Sequence, residues 1–253
     1  MVEPPIRAVT RRSLSEAVFQ QLRDGILSGA LAAGTALPSE RALCERFGVN
    51  RAALREALKR LQQLRLVAIR QGESTRVLDF RETGGLELLV GLLLDGEGNV
   101  QWKAVRSLVE MRTALGPDIA RLAALRRGEA ELAALDEALA ALEAEPADDV
   151  VALQRRSLAL WRVLVRASDN LAYQLAFNTM ERAWEGVQDT FAPALADEVT
   201  HRAGYRALVR AVRRGQPEAA RKAAARLVAR GAKAAEALLG GLVERGGETG
   251  EAG

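Results

Sequence analysis

Apolar residues in the first third of the chain recur at helical spacing in three short blocks, each closed by a turn signal. Val18, Leu22, Ile26 and Leu27 share one face of a segment opening at Ser13-Leu-Ser-Glu, which predicts a serine-capped first helix. A second amphipathic block, Arg41 to Phe47, stops at Gly48, where a left-handed residue ends a helix at little steric cost. Asn50 then offers a side-chain oxygen to cap a third helix. At about 100° per residue, Leu54, Ala57, Leu58, Leu61 and Leu64 fall on one flank of that helix. Arg51, Arg55, Lys59 and Gln62 fall together on another. Two short β-prone runs within Leu66 to Leu78, around a turn holding Gly72, complete the segment as a hairpin.

A helix-turn-helix followed by such a wing is an arrangement that reads DNA. The third helix packs by its leucine flank and leaves its basic flank free. An arginine fork matches the two acceptors of guanine in the major groove, and Arg51 and Arg55, one turn apart near the helix N-terminus, are placed for base-edge contact. The alternatives are a solvated basic face and an ordinary surface hairpin. At the wing, Gly72 permits close backbone approach, and Arg70 and Arg76 are available to phosphates.

From about Glu82 to Leu242, alanine, leucine, arginine and glutamate dominate and β-branched runs are scarce, which predicts helix throughout. Breaks near Gly96-Glu-Gly, Ala144-Glu-Pro, Ser168-Asp-Asn, Ala192-Pro and Gly215-Gln-Pro divide it into six or seven helices. Leu108, Met111, Leu115, Ile119, Leu122 and Leu125 form one apolar stripe, and Leu132, Leu135, Leu139 and Leu142 a second. The expected fold is mainly α, a winged helix-turn-helix followed by an all-α effector bundle. Such a bundle either encloses a ligand cavity or is a solid dimerisation element. The expected domains are residues 1–79, with 1–10 a mobile arm, then 80–243, with a disordered tail over 244–253.

Charge supports this division. The 253 residues carry 36 Lys+Arg against 33 Asp+Glu; residues 1–79 hold 13 basic and 8 acidic, leaving 23 and 25 for the remainder. The positive excess therefore lies in the DNA reader, the footprint of a phosphate-binding module. One histidine, His201, and no nucleotide-binding glycine loop, catalytic triad pattern or metal-ligand cluster argue against an enzyme. A partner-binding bundle carrying a basic module is the third class, and it would bind DNA without regard to operator sequence. The one cysteine, Cys44, excludes an internal disulfide and is expected as a small buried side chain. No apolar run approaches the roughly 20 residues that cross a bilayer, and Met1-Val-Glu-Pro-Pro lacks a signal-peptide pattern, so a cytoplasmic protein with no membrane contact is expected.

Pro38-Ser-Glu-Arg-Ala-Leu followed by Val49-Asn-Arg-Ala-Ala-Leu-Arg-Glu-Ala-Leu-Lys-Arg-Leu resembles the winged helix of the GntR family of bacterial transcription regulators. The resemblance implies DNA contacts at Arg41, Arg51, Ala52, Arg55, Gln71 and Gly72, with Gln71 standing where many relatives have histidine. Val77-Leu-Asp-Phe-Arg-Glu-Thr-Gly-Gly-Leu-Glu-Leu-Leu and Asn170-Leu-Ala-Tyr-Gln-Leu-Ala-Phe-Asn-Thr-Met, with Met111-Arg-Thr and Trp161-Arg162 between them, resemble the fatty-acid-responsive, FadR-type branch of that family. That branch implies a homodimer joined through the DNA-binding half, long-chain acyl-coenzyme A (acyl-CoA) in the bundle, and release of double-stranded operator DNA by that ligand.

Many family members hold a divalent metal through one aspartate and three histidines; the corresponding positions here are Ser157, Trp161, Tyr205 and Leu227, none a good ligand, so no metal and no cofactor is expected. The expected effector-binding residues are Arg112, Trp184, Tyr205 and Leu227. Arg112 lies inside an apolar stripe, so it needs an anionic ligand or an internal carboxylate such as Glu110 or Asp118. Trp184 and Tyr205 either line the pocket or pack as ordinary core. Relatives carry a Tyr-Gly-His-Glu-Ser segment where this chain has Leu227-Val-Ala-Arg-Gly; Arg226, Arg230 and Lys233 meet coenzyme phosphates there or form a solvated face. A different small anionic metabolite, such as an organic acid, is the alternative effector.

Overall fold

The computed structural model describes residues 14–69, 74–94, 99–185, 188, 192 and 195–247, for 238–247 the backbone alone. It divides into two compact units, Met1–Asn99 and Val100–Gly253.

In the first unit, α1 (Leu14–Leu27), α2 (Glu40–Phe47) and α3 (Arg51–Gln63) pack around one core. Val18, Leu22 and Ile26 of α1 are buried as their spacing predicts, together with Phe19. The Ser39 hydroxyl caps α2 by accepting from the Ala42 amide. Gly48 ends it at φ 63°, ψ 34°, its N–H donating to the Cys44 carbonyl. Asn50 Oδ1 then accepts from the Ala53 amide at 2.9 Å and opens α3. Cys44 is half-buried against this core.

The wing consists of β1 (Val67–Ala68) and β2 (Arg76–Val77), antiparallel, with Val67 opposite Val77. The chain before α2 adds a third element. Ala36 bridges to Arg76, and the Leu37 amide donates to the Thr75 carbonyl. The wing tip, with Arg70, Gln71 and Gly72, lies outside the described residues.

After the wing come α4 (Phe80–Thr83), capped by Asp79, a 3-10 turn at Leu86–Leu88, and α5 (Leu89–Leu92). Leu88 is buried in the first core, with Phe80 and Leu92 packed against it. Residues 80–94 therefore pack with the DNA reader, where the sequence reading drew its boundary at 79. Gly91 permits this approach, since a Cβ there would meet Leu27 Cδ1 at 3.3 Å.

The second unit is helical among its described residues: α6 (Trp102–Arg126), α7 (Glu129–Ala144), α8 (Val150–Ala167), α9 (Leu171–Glu185), α10 (Ala196–Val199), α11 (Arg202–Arg213) and α12 (Pro217–Gly247). Three ends fall at the anticipated breaks: α7 stops at Ala144, α8 at Ala167, and α11 before Gly215, which takes φ 62°. Pro217 opens α12 at the first helical position, where its missing N–H costs nothing. This helix continues to Gly247, past the expected start of a disordered tail at 244, because Glu244 and Arg245 are good helix formers.

The apolar stripe of α6 is corrected in part. Ile119 and Leu122 are buried, but Leu125 is 53% exposed. Small residues carry the contact instead. Gly116, Ala120, Ala123 and Ala124 of α6 share a core with Ala220, Ala224, Leu227 and Val228 of α12, and a Cβ on Gly116 would meet Val228 Cγ1 and Trp161 Cη2, each at 3.3 Å. Residues without long side chains let two helix backbones come close. On α7, Leu135 and Leu142 are fully buried, as the second stripe predicts.

A Cβ at Gly48 meets nothing within 4 Å, so a substitution there tests backbone conformation alone. Gly48→Ala should lower the unfolding free energy by about 1–2 kcal/mol in urea titration, the cost of a left-handed L-residue. Gly48→Asn should cost less, because asparagine tolerates that region.

Candidate nucleic-acid interface and effector site

The third helix has two chemically distinct sides. Leu54, Ala57, Leu58 and Leu61 are at most 2% exposed, whereas Arg51, Ala52, Arg55, Lys59 and Gln62 are all exposed. Every α3 residue singled out from the sequence as a DNA contact therefore stands on the open side. Arg55 Nε donates to both carboxylate oxygens of Glu40, at 3.0 and 3.3 Å, and Arg41 Nε donates to Glu45 at 3.0 Å. Both pairs are solvent-exposed, so each adds little to folding stability. The Arg51 side chain has no hydrogen bond or ion pair among the described residues.

Arg60, also on α3, has a different task. Its guanidinium lies 3.9 Å from the Phe19 ring centroid and donates to Glu16 at 2.5 Å, tying α3 to α1. The Arg60 hydrogen bond, opposed by partial burial, holds the Glu16 carboxyl below its ordinary pKa. In the wing, Arg76 donates to the Gly34 carbonyl at 3.0 Å and stays exposed.

The bundle holds a polar group drawn from four helices, buried except at Arg112, which stays 25% exposed, and a fifth helix packs against it. Arg112 on α6 makes a two-pronged ion pair with Glu198 on α10: Nη1 donates to Oε2 at 2.8 Å, and Nη2 to Oε1. Glu198 is 1% exposed. Burial opposes the Arg112 charge, and the field and hydrogen bonds of Glu198 together outweigh it, so the guanidinium pKa lies above its usual value. On α11, Tyr205 is fully buried, its hydroxyl 2.7 Å from Ser157 Oγ on α8. Burial, reinforced by the nearby Glu198 charge, pushes the Tyr205 phenol well above its ordinary range. Gly231 of α12 presses on the ion pair, because a Cβ there would collide with Glu198 Oε2.

Ser157, Trp161, Tyr205 and Leu227, the positions matched to metal ligands, do converge in one core. They meet there as a hydroxyl pair, an indole and an aliphatic side chain. Two buried donors on the same helix, Trp161 Nε1 and Gln154 Nε2, have no hydrogen-bond partner among the described residues. Of the four expected effector residues, Arg112, Tyr205 and Leu227 belong to this region. Trp184 is half-buried near the end of α9, and packing of its ring with that region is not seen among the described residues.

Arg112 has its internal carboxylate, and that carboxylate is Glu198 rather than Glu110 or Asp118. Nothing local marked Glu198, which lies 86 residues away in a four-residue helix. Of the three α12 residues considered for coenzyme phosphates, Arg230 pairs with Asp197 at 3.0 Å, while Arg226 and Lys233 are exposed. His201 sits half-buried at the N-cap position of α11. Among the described residues no group of three or more His, Cys, Asp or Glu could hold a metal, and no helix is long and apolar enough to cross a membrane.

Two family models match the chain: bacterial regulatory proteins, gntR family, over residues 14–77, and the FCD domain over residues 107–230. The chain is 40% identical over 220 residues to the HTH-type transcriptional regulator Mce2R of Mycobacterium tuberculosis, covering 87% of this chain and 90% of that protein. It is 35% identical over 149 residues to the fatty acid metabolism regulator protein of Klebsiella pneumoniae, covering 58% and 59% of the two chains. Among solved structures, Lar of Listeria monocytogenes shares the fold at TM-score 0.56 and 17% identity, over 91% of this chain and all (100%) of that one. The outward basic face of a capped, two-sided third helix thus belongs to a member of the gntR family of bacterial regulatory proteins, a DNA-binding transcription regulator whose winged helix is followed by an FCD effector-binding domain.

Proposed function

We propose that this regulator reads its operator through Arg41, Arg51, Ala52 and Arg55, with Gln71 and Gly72 at the wing tip, and does so as a homodimer. The observation that carries the proposal is the split character of α3, whose leucine side is sealed into the core while its arginine side stays open. One such module reads one half-site, which supports a two-fold dimer on a palindromic operator. The clustering of basic residues in the first 79 positions adds a strong, salt-sensitive phosphate term.

The proposed effector is a long-chain acyl-CoA that weakens operator binding. Similarity to fatty acid metabolism regulators and an apolar bundle support it. One observation favours the second reading, a small organic acid: the bundle centre is polar, with Arg112, Glu198, Tyr205 and Ser157 together. A carboxylate entering there competes with Glu198 for Arg112, and Glu198 must then leave with the short helix α10, since a buried charge cannot stay unpaired cheaply. In either case the ligand acts only through its preference for one conformation of the dimer.

On a duplex isolated by selection from a random pool, Arg51→Ala or Arg55→Ala should cost about 1–3 kcal/mol in binding while leaving thermal unfolding unchanged. Equal losses on selected and random duplexes would reduce these arginines to phosphate contacts. For the effector, calorimetry should show affinity rising from acetyl-CoA to oleoyl-CoA by up to about 0.8 kcal/mol per methylene, with oleoyl-CoA releasing the duplex. Chain-length independence would overturn the acyl-CoA reading, and release by short hydroxy or dicarboxylic acids would establish the second.

A further inference from the structure

The exposed basic side of the winged helix carries a carboxylate, Glu40, whose charge opposes phosphate binding and whose geometry gives it another use. Glu40 is the first residue of α2, next to its Ser39 cap. An acidic residue in a first helical turn is favourable to the helix dipole, and that alone would let the side chain extend into water. Instead it reaches across to α3 and takes Arg55 Nε on both oxygens, a contact spanning 15 residues and two helices. Arg41 and Glu45, by contrast, form an ordinary pair four residues apart on a single helix.

The Glu40–Arg55 pair is exposed, with side-chain accessibilities of 39% and 63%, so it adds little to folding. It also places negative charge beside a surface that must approach phosphates, which lowers affinity for any duplex. Its geometric consequence is different. Arginine has five N–H donors in a rigid fork. With Nε occupied by Glu40, the two terminal nitrogens remain as one outward-facing edge, and that edge matches guanine O6 and N7. The same carboxylate repels a phosphate that would otherwise capture the arginine.

We infer that Glu40 is a specificity-determining positioning residue, which holds the Arg55 fork end-on for a base edge and sacrifices general affinity for sequence discrimination. The inference rests on the reading of Arg55 as a base contact.

Selection from a randomised duplex pool, using the full-length chain and its Glu40→Asp, Glu40→Gln and Arg55→Ala variants, tests it. Arg55→Ala should relax the base requirement at one pair of two-fold-related positions. Glu40→Asp keeps the charge but cannot reach Nε, and it should relax those same positions, lowering discrimination there about tenfold, with binding to a random duplex unchanged. Glu40→Gln should relax them too and tighten random-duplex binding, because a negative charge is lost. In the Arg55→Ala background neither change should alter base preference further.

The inference is overturned if Glu40→Asp preserves the wild-type preference, or relaxes every position equally as a general loss of structure would. If Arg55→Ala itself relaxes no position, the base-contact reading has failed and this inference falls with it. Matching thermal unfolding curves for the variants exclude a folding defect as the cause.

Discussion

Orientation of the third helix is the constraint on which the rest of the DNA reader depends. Leu54, Leu58 and Leu61 are fully buried, each worth about 1.5–3 kcal/mol relative to exposure, and rotating α3 by even one residue would bring them toward water. The opposite face has no such freedom either. Once the leucines are fixed, Arg51, Arg55, Lys59 and Gln62 point outward. Arg60 completes the hold, because its contacts with Phe19 and Glu16 tie α3 to α1, while Gly91 allows the segment after the wing to lie against α1. Recognition is thereby built on a rigid element rather than a loop, and its arginines need only be oriented locally.

The bundle obeys a different constraint, that a charge removed from water must be matched. Arg112 within α6 is matched by the buried Glu198, against which Gly231 packs so closely that any side chain there would displace the carboxylate. Removing one partner of such a pair costs about 3–5 kcal/mol, since the other is left buried and unmatched. The four-residue helix α10 is held in part by this contact, since it supplies Glu198. The Ser157 and Tyr205 hydroxyls satisfy each other, whereas Trp161 Nε1 and Gln154 Nε2 have no partner among the described residues.

Features set by a local conformational requirement were legible in the sequence. Gly48 was readable because a left-handed turn favours glycine, Asn50 because an N-cap favours a short polar side chain, and the split of α3 because its period is strict. Features set by contacts distant along the chain were not. Ala36 joins the wing through a single bridge that leaves no pattern. The α6–α12 contact runs through Gly116, Ala120 and Ala123, small residues that barely register in a hydrophobic stripe, whereas Leu125, which fits the stripe, is exposed. Arg112 inside an apolar stripe calls for a partner, but the identity of Glu198, 86 residues away, cannot be read from spacing.

The central claim is that two copies of α3 present arginine forks to guanine edges in the major groove. Dimethyl sulfate methylates guanine N7 in that groove, so protection of a bound, selected duplex reports the contact directly. The account predicts two-fold-related guanines protected by the wild-type chain and exposed again with the Arg55→Ala variant. Full methylation at every guanine of a duplex that is nonetheless bound would contradict it.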